Sequence, residues 1–260
     1  MITLKVENGS EVLAESSGMN EVTLVYLPEY VPGDCIAIES DNPEVYLILS
    51  LDDAMPSAFV YLSGGKYSLT VPFDEKRISY SPRAFIGSNH VIYARLATGE
   101  EIKMRKNLAF NPYDSHSNQS LYPTAKANVE TRGESVFAAR NAIDGNKANL
   151  GHGPWPFQSW GINKDPEAEI KIDFGREVTI DQAVFYLRAD FPHDAWWERA
   201  TLDFSDGTSH EASLQKTSEG QAINFPPKTV RWILLHKLIK AEDPSPFPAL
   251  TQIEINGTEK

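Results

Sequence analysis

Residues 168–174 read Ala168-Glu-Ile-Lys-Ile-Asp-Phe174. The strict alternation puts Ile170, Ile172 and Phe174 on one face and charged groups on the other, the pattern of a half-buried β-strand. A longer strand is expected over Thr179 to Leu187. Ala200 to Phe204, the turn Asp206-Gly207 and Ser209 to Leu214 form a hairpin signal, because a primed turn favours Asp-Gly. Val230 to Leu235 and Gln252 to Ile255 bring the count to at least six strands. Helix is expected only over Glu134 to Ala142, where Thr131 and Glu134 have capping-box spacing and Asp144-Gly145 ends the segment. Regular strand and turn spacing with little helix predicts a β-sandwich or jelly roll.

The first half is read in the same way. Val45-Tyr-Leu-Ile-Leu49 is continuously apolar, which predicts a strand buried on both faces. Ala58 to Leu62 and Tyr67 to Val71 flank Ser63-Gly64-Gly65-Lys66, which predicts a hairpin. No helical period extends over ten residues, so a β-sandwich is expected here too. Between the halves, Asn111-Pro-Tyr-Asp-Ser-His-Ser-Asn-Gln-Ser120 is polar and rich in turn formers. The expected organisation is a β-sandwich of unassigned role over 1–110, a linker over 111–120 and a second β domain over 121–260.

Composition narrows the function. The chain has 260 residues, 41% of them hydrophobic and 23% charged, ordinary values for a globular protein. A net charge of −12 opposes binding to a nucleic-acid backbone, which needs clustered Lys and Arg. The single Cys35 excludes an internal disulfide or a cysteine-rich zinc site. No run of eighteen apolar residues is present, so membrane insertion is not expected. Met1 to Asn8 lacks the basic and apolar regions of a signal peptide, an expectation of cytoplasmic location; an extracellular one would require sequence ahead of Met1. Asp173-Phe-Gly175 and Gly151-His-Gly153 imitate kinase and dinucleotide motifs but lack their flanking elements.

Two loops are chemically dense: Gly151-His-Gly-Pro-Trp-Pro-Phe-Gln-Ser-Trp-Gly161 and Arg188-Ala-Asp-Phe-Pro-His-Asp-Ala-Trp-Trp-Glu198. Sugars are recognised by an aromatic face against C–H groups and by charged or amide groups on the hydroxyls. His152, Trp155, Arg188, Asp190, His193, Asp194 and Trp196 supply that set. Three other readings stay open. Trp160 and one of Trp196 and Trp197 could plug the barrel ends above an Arg188–Asp190 pair. His152, Asp190, His193 and Asp194 could hold a transition metal. Asp190 and Asp194 could form a glycosidase pair. A third segment, Asn141 to Asn149, suits either a Ca²⁺ site at Asp144 or an Asx turn ending a helix.

Positions 121–260 resemble the discoidin (coagulation factor V/VIII type C) superfamily, nearest to bacterial galactose-binding-like carbohydrate-binding modules of family thirty-two. The residues that carry the resemblance are Ala138-Ala-Arg-Asn-Ala-Ile-Asp-Gly145, Gln158-Ser-Trp160, Ile170-Lys-Ile-Asp-Phe-Gly175 and Ala249-Leu-Thr-Gln-Ile-Glu-Ile-Asn-Gly257. The resemblance implies a jelly roll and a structural Ca²⁺ on Asp144, with main-chain oxygens around Asn141, Asn146 and Asn149. Gln252 stands where a glutamate commonly completes that site. It also implies a sugar site on loops at one end, for which His152, Trp155, Arg188, His193 and Trp196 are the candidates. The expected function is therefore non-catalytic binding of a saccharide or glycan. A protein-interaction module using the same loops, and a saccharide-acting enzyme using Asp190, His193 and Asp194, are the alternatives.

Overall fold

Alternating apolar and polar residues make strands throughout the computed structural model, which describes residues 1–260. The first half contains β1 (Ile2–Asn8), β2 (Glu11–Gly18), β3 (Glu21–Tyr26), β4 (Asp34–Ser40), β5 (Glu44–Ser50), β6 (Ala58–Ser63), β7 (Lys66–Thr70) and β8 (His90–Leu96). After the short helix α1 (Gly99–Lys103) come β9 (Lys106–Asn107), β10 (Leu121–Tyr122) and β11 (Thr124–Ala127). The second half adds β12 (Trp160–Gly161), β13 (Ile170–Leu187), β14 (Trp197–Phe204), β15 (Ser209–Ser213), β16 (Gln221–Lys240) and β17 (Ala249–Glu259). No helix is long and apolar enough to cross a membrane.

The N-terminal half is a sandwich of two sheets, ordered β2-β1-β4-β7 and β10-β6-β5-β8-β3. The C-terminal half is a jelly roll built on one antiparallel sheet, β12-β17-β13-β16-β14-β15, with β11 on β13 and β9 on β17. The alternation in 170–174 is as expected, with Ile170, Ile172 and Phe174 at most 1% exposed. The two stretches read as separate strands are one bent strand, β13, with bulges after Asp173 and Ile180. Gly175 sits at the bend with φ 69°, where a side chain would meet the ring of Tyr122. Each half has its own core, of 26 and 31 buried residues.

Four expectations are corrected. The Gly64-Gly65 turn has the predicted positive φ angles, 80° and 74°, but closes no hairpin. β6 pairs with β5 and β10, whereas β7 pairs with β4 in the opposite sheet. The turn backbone bonds elsewhere instead, Gly64 N–H to Pro43 O at 2.6 Å and Ser40 N–H to Gly65 O at 2.8 Å. β5 is buried on one face only: Val45, Leu47 and Leu49 point inward, and Tyr46 and Ile48 are half-buried. The segment 134–142 is no α-helix but two short 3₁₀ turns, Ser135–Phe137 and Ala139–Ile143, preceded by a third at Thr131–Gly133. Arg132 has φ 53° and Ala138 is extended, so the ladder cannot propagate; Thr131 Oγ1 accepts the Asn163 N–H instead of capping.

The stretch read as a linker is packed rather than open. Asn111, Tyr113, Asp114 and Asn118 are at most 3% exposed. Asn111 Nδ2 donates to Leu121 O and Pro123 O, and Asp114 accepts from Asn118 Nδ2 and from the Ala125 N–H. Leu108 and Ala109 lie in the C-terminal core, Tyr113 and Leu121 in the N-terminal one. The chain therefore laces the halves together. Arg140 rivets them, donating to Asp114 O and Pro112 O and lying 4.2 Å over the Tyr80 ring.

Candidate functional site

A cavity of about 390 Å³ opens at one end of the jelly roll, walled by residues of 131–137, 161–164, 188–194 and 247–249 and by His152. Its floor is Arg188, directly after β13, whose N–H continues the ladder to Ala249 O at 2.9 Å. The guanidinium is 2% exposed, and a buried charge needs partners. Nη1 donates to Phe157 O at 3.0 Å and Nη2 to Gly151 O at 3.3 Å. Nε lies 3.4 Å from Asp194 Oδ2. Burial lowers the Arg188 pKa, against the pull of Asp194 and Asp190; the group stays a cation because guanidinium does not deprotonate in proteins.

Asp194 organises the second loop. It is 2% exposed, and its Oδ2 accepts the Asp190 N–H at 2.9 Å while its Oδ1 meets His193 Nδ1 at 2.9 Å. The carboxylate only accepts, so Nδ1 of His193 carries the proton and Nε2 offers a lone pair. The His193 ring stacks on Phe247 with centroids 5.5 Å apart and planes 12° apart. On the other wall, His152 turns Nδ1 to the Arg188 guanidinium. Arginine only donates, so Nδ1 accepts and Nε2 bears the hydrogen. Burial, then Arg188, holds the His152 pKa below its ordinary value. The ring is therefore a neutral donor.

The mouth thus displays one fixed N–H donor, one fixed imidazole lone pair and the half-buried Asp190. Suitable atoms of His152, Asp190 and His193 lie within 4.8 Å of one another. This trio does not make a good metal site while Arg188 holds Nδ1 of His152, because the remaining nitrogen is protonated and a ligand nitrogen must offer a lone pair. Asp190 and Asp194 do not form two free carboxyls, since both Asp194 oxygens are engaged.

The structure brings His152, Arg188, Asp190, His193 and Asp194 together and leaves two candidates outside. Trp155 faces away, toward Tyr80 of the first half. Trp196 packs on the core with Lys216 Nζ 5.0 Å over its ring. Trp160 is fully buried and donates to Val129 O at 3.0 Å, a packing role. Phe137, Asn163, Lys164 and Phe247 line the cavity and were not anticipated. Phe247 had a local signal: Pro244-Ser-Pro-Phe-Pro248 presents an aromatic between prolines just before the last strand. Asn163 and Lys164 had none; their left-handed φ angles of 51° and 61° follow from the turn after β12.

The side chains at the expected calcium corner are engaged within the chain. Asp144 is the one carboxylate, and its oxygens accept the Asn146 N–H at 2.8 Å and Gln158 Nε2 at 3.1 Å. Asn141 spends its amide on Ser135 O, Ser159 O and Arg140. Asn149 donates to Leu187 O and Ser218 O, and Gln252 Oε1 accepts the Gly145 N–H. Burial pushes the Asp144 carboxyl up to about 6, offset in part by Arg140. Calcium favours several anionic or carbonyl oxygens free to converge; here the single carboxylate already accepts the Gln158 amide N–H.

No protein-family model matches the chain, and no curated protein matches it. Among solved structures, it is similar to a chitosan-binding module of a Paenibacillus sp. IK-5 chitosanase/glucanase, at 19% identity, covering 59% of this chain and all of that one, with TM-score 0.39. It is similar to the family 32 carbohydrate-binding module of C. perfringens NanJ in complex with galactose, at 17% identity over 51% of this chain and 92% of that one, TM-score 0.40. It is also similar to a Streptococcus pneumoniae fucose-binding module, at 14% identity over 58% and 96%, TM-score 0.43.

Proposed function

We propose that the cavity at the end of the jelly roll binds a saccharide without transforming it. The observation that carries this reading is the pair of fixed histidine tautomers around buried Arg188. His152 presents a donor and His193 an acceptor, with the Asp190 carboxylate beside them. A sugar carries hydroxyls that donate and accept at once, and preoriented groups of both kinds recognise them with little ordering cost. Phe247, 44% exposed, offers the apolar face that a ring's C–H side requires. Hydrolysis of a glycoside needs two working carboxyls, and Asp194 is committed to holding the loop. That favours binding over hydrolysis by an Asp190–Asp194 pair.

The test is a glycan array of neutral, amino and acidic sugars, followed by calorimetry on the sugar retained. His193→Ala and Phe247→Ala each lower affinity by about tenfold or more, as central contacts do, while the thermal midpoint stays put. A blank array from folded protein, or full affinity in both variants, overturns the reading.

A further inference from the structure

The 151–158 loop is a thin wall with a pocket on either side. His152 looks into the jelly-roll cavity, and Trp155 stands in a groove on the opposite side. That groove has two lobes of about 300 and 250 Å³ that share Trp155 and Tyr80. Phe157 is the septum: its ring packs 5.8 Å from His152 and 5.7 Å from the Arg188 guanidinium, and it also lines the groove. The crest between them is bare. Gly151 and Gly153 have no atom within 4 Å of where a Cβ would stand. From His152 to Trp155 is three residues, at most about 10–11 Å of chain.

The groove is furnished for a polar ligand with an apolar face. Trp155 is 39% exposed and is the one tryptophan of the five that is exposed rather than buried or half-buried. Arg77 comes from the first half and lines the opposite wall, giving one N–H to Pro82 O at 3.5 Å. Asn146, in the lobe near Asp144, has a buried Nδ2 with no acceptor.

The geometry points to a second saccharide subsite in this groove, so that the glycan recognised is an oligosaccharide that crosses the bare crest of the loop. This inference rests on the saccharide reading of the jelly-roll cavity. One sugar sits among His152, His193 and Phe247. The chain passes over Gly153, and a further unit stacks on Trp155 against Arg77. The N-terminal sandwich thereby acquires a role, as the far wall of the extended site.

The experiment is calorimetry of the full chain with galactose, fucose, N-acetylglucosamine, glucosamine and galacturonate, each paired with a trisaccharide ending in it. For a monosaccharide that binds, the trisaccharide binds at least about tenfold more tightly, a gain of about 1.4 kcal/mol. Trp155→Ala removes the gain and leaves monosaccharide affinity unchanged; Arg77→Ala reduces it severalfold with the same pattern. Should Trp155→Ala lower the thermal midpoint, Arg77→Ala alone decides. Equal affinity for the two members of a pair, or a trisaccharide gain that survives both substitutions, overturns the crossing and spares the first cavity. Binding to none of these sugars or to any array glycan overturns both.

Discussion

Of the three arginines buried in the second half, Arg140, Arg176 and Arg188, the first and the last do opposite things. Arg140 is 7% exposed and Arg188 2%. Arg140 spreads its N–H groups over Asp114 O, Pro112 O and Asn141 Oδ1, with Tyr80 beneath it. Its N–H groups are spent inside the fold, although the residue also borders the lobe beside Trp155. Arg188 bonds two loop carbonyls and His152, while its Nε faces Asp194 without a well-formed hydrogen bond. Its neighbours His152, His193 and Asp190 still have capacity facing outward. A buried cation is therefore not by itself the mark of a site. What separates a rivet from a floor is whether the groups it orients are spent inside the fold or left open at a cavity.

The comparison is broken most directly by removing each cation. Arg140→Met leaves carbonyls of the packed 111–120 segment unmet, and we expect a loss of about 3–5 kcal/mol. In a chain of this size that lowers the thermal midpoint by roughly 10 °C, with monosaccharide affinity of the folded protein, which belongs to the cavity at Arg188, preserved. Arg188→Lys keeps the charge but not the planar fork. Its expected effect is a loss of affinity of about tenfold or more by calorimetry, with a smaller change in midpoint. Equal effects of the two substitutions on both readouts would erase the distinction.

Acid sharpens it further. Burial pushes Asp114 and Asp144, on either side of Arg140, up to about 6. Their folded pKa values exceed the unfolded ones, so the folded state binds protons more tightly. The associated stability is fully present below about pH 4 and is lost as pH rises through 6. The depressed carboxylates act oppositely: Glu101, held at about 2 by Arg95 and the Thr98 N–H, loses its contribution as pH falls from about 4.5 toward 2. Thermal stability is thus expected to rise from pH 7 to about 5 and fall at lower pH. Binding follows the other arginine. Protonation of His152 places a second charge beside Arg188, so affinity declines in acid with a midpoint below 6.5, the ordinary histidine value. A titration by calorimetry against the melting curve separates the two profiles. The smallest effect concerns calcium: millimolar Ca²⁺ or chelator should shift the midpoint by less than about 1 °C, since an ion that does not bind gives no linkage.

The parts that were legible are local. Asp190, His193 and Asp194 share one tight turn, and their types and spacing announce a site before any fold is known. The same holds for the 170–174 alternation and for the Asp206-Gly207 hairpin, whose Gly207 has φ 84°. Turn chemistry was legible at Gly64-Gly65 as well, yet it specifies that the chain reverses, not that the flanking strands pair. Capping-box spacing at Thr131 and Glu134 formed no box, whereas Thr98 and Glu101 did form one, at the start of α1. The difference is tertiary: Thr131 Oγ1 is drawn to the Asn163 N–H. Phe247 lies more than fifty residues beyond His193, and only the closure of the roll stacks the two rings.

By itself, the sequence determined the strand class of both halves, the exclusion of cysteine chemistry and the loops that hold the reactive side chains. These follow from period-two alternation and residue type, which act over a few residues. Only the tertiary structure decided which side of the 151–158 loop each side chain takes, placing His152 over Arg188 and Trp155 against Tyr80. It also decided that Gln158 donates to Asp144 and that Gln252 accepts the neighbouring Gly145 N–H. Side-chain direction in a loop is set by contacts with distant segments, and those contacts exist only once both cores have closed.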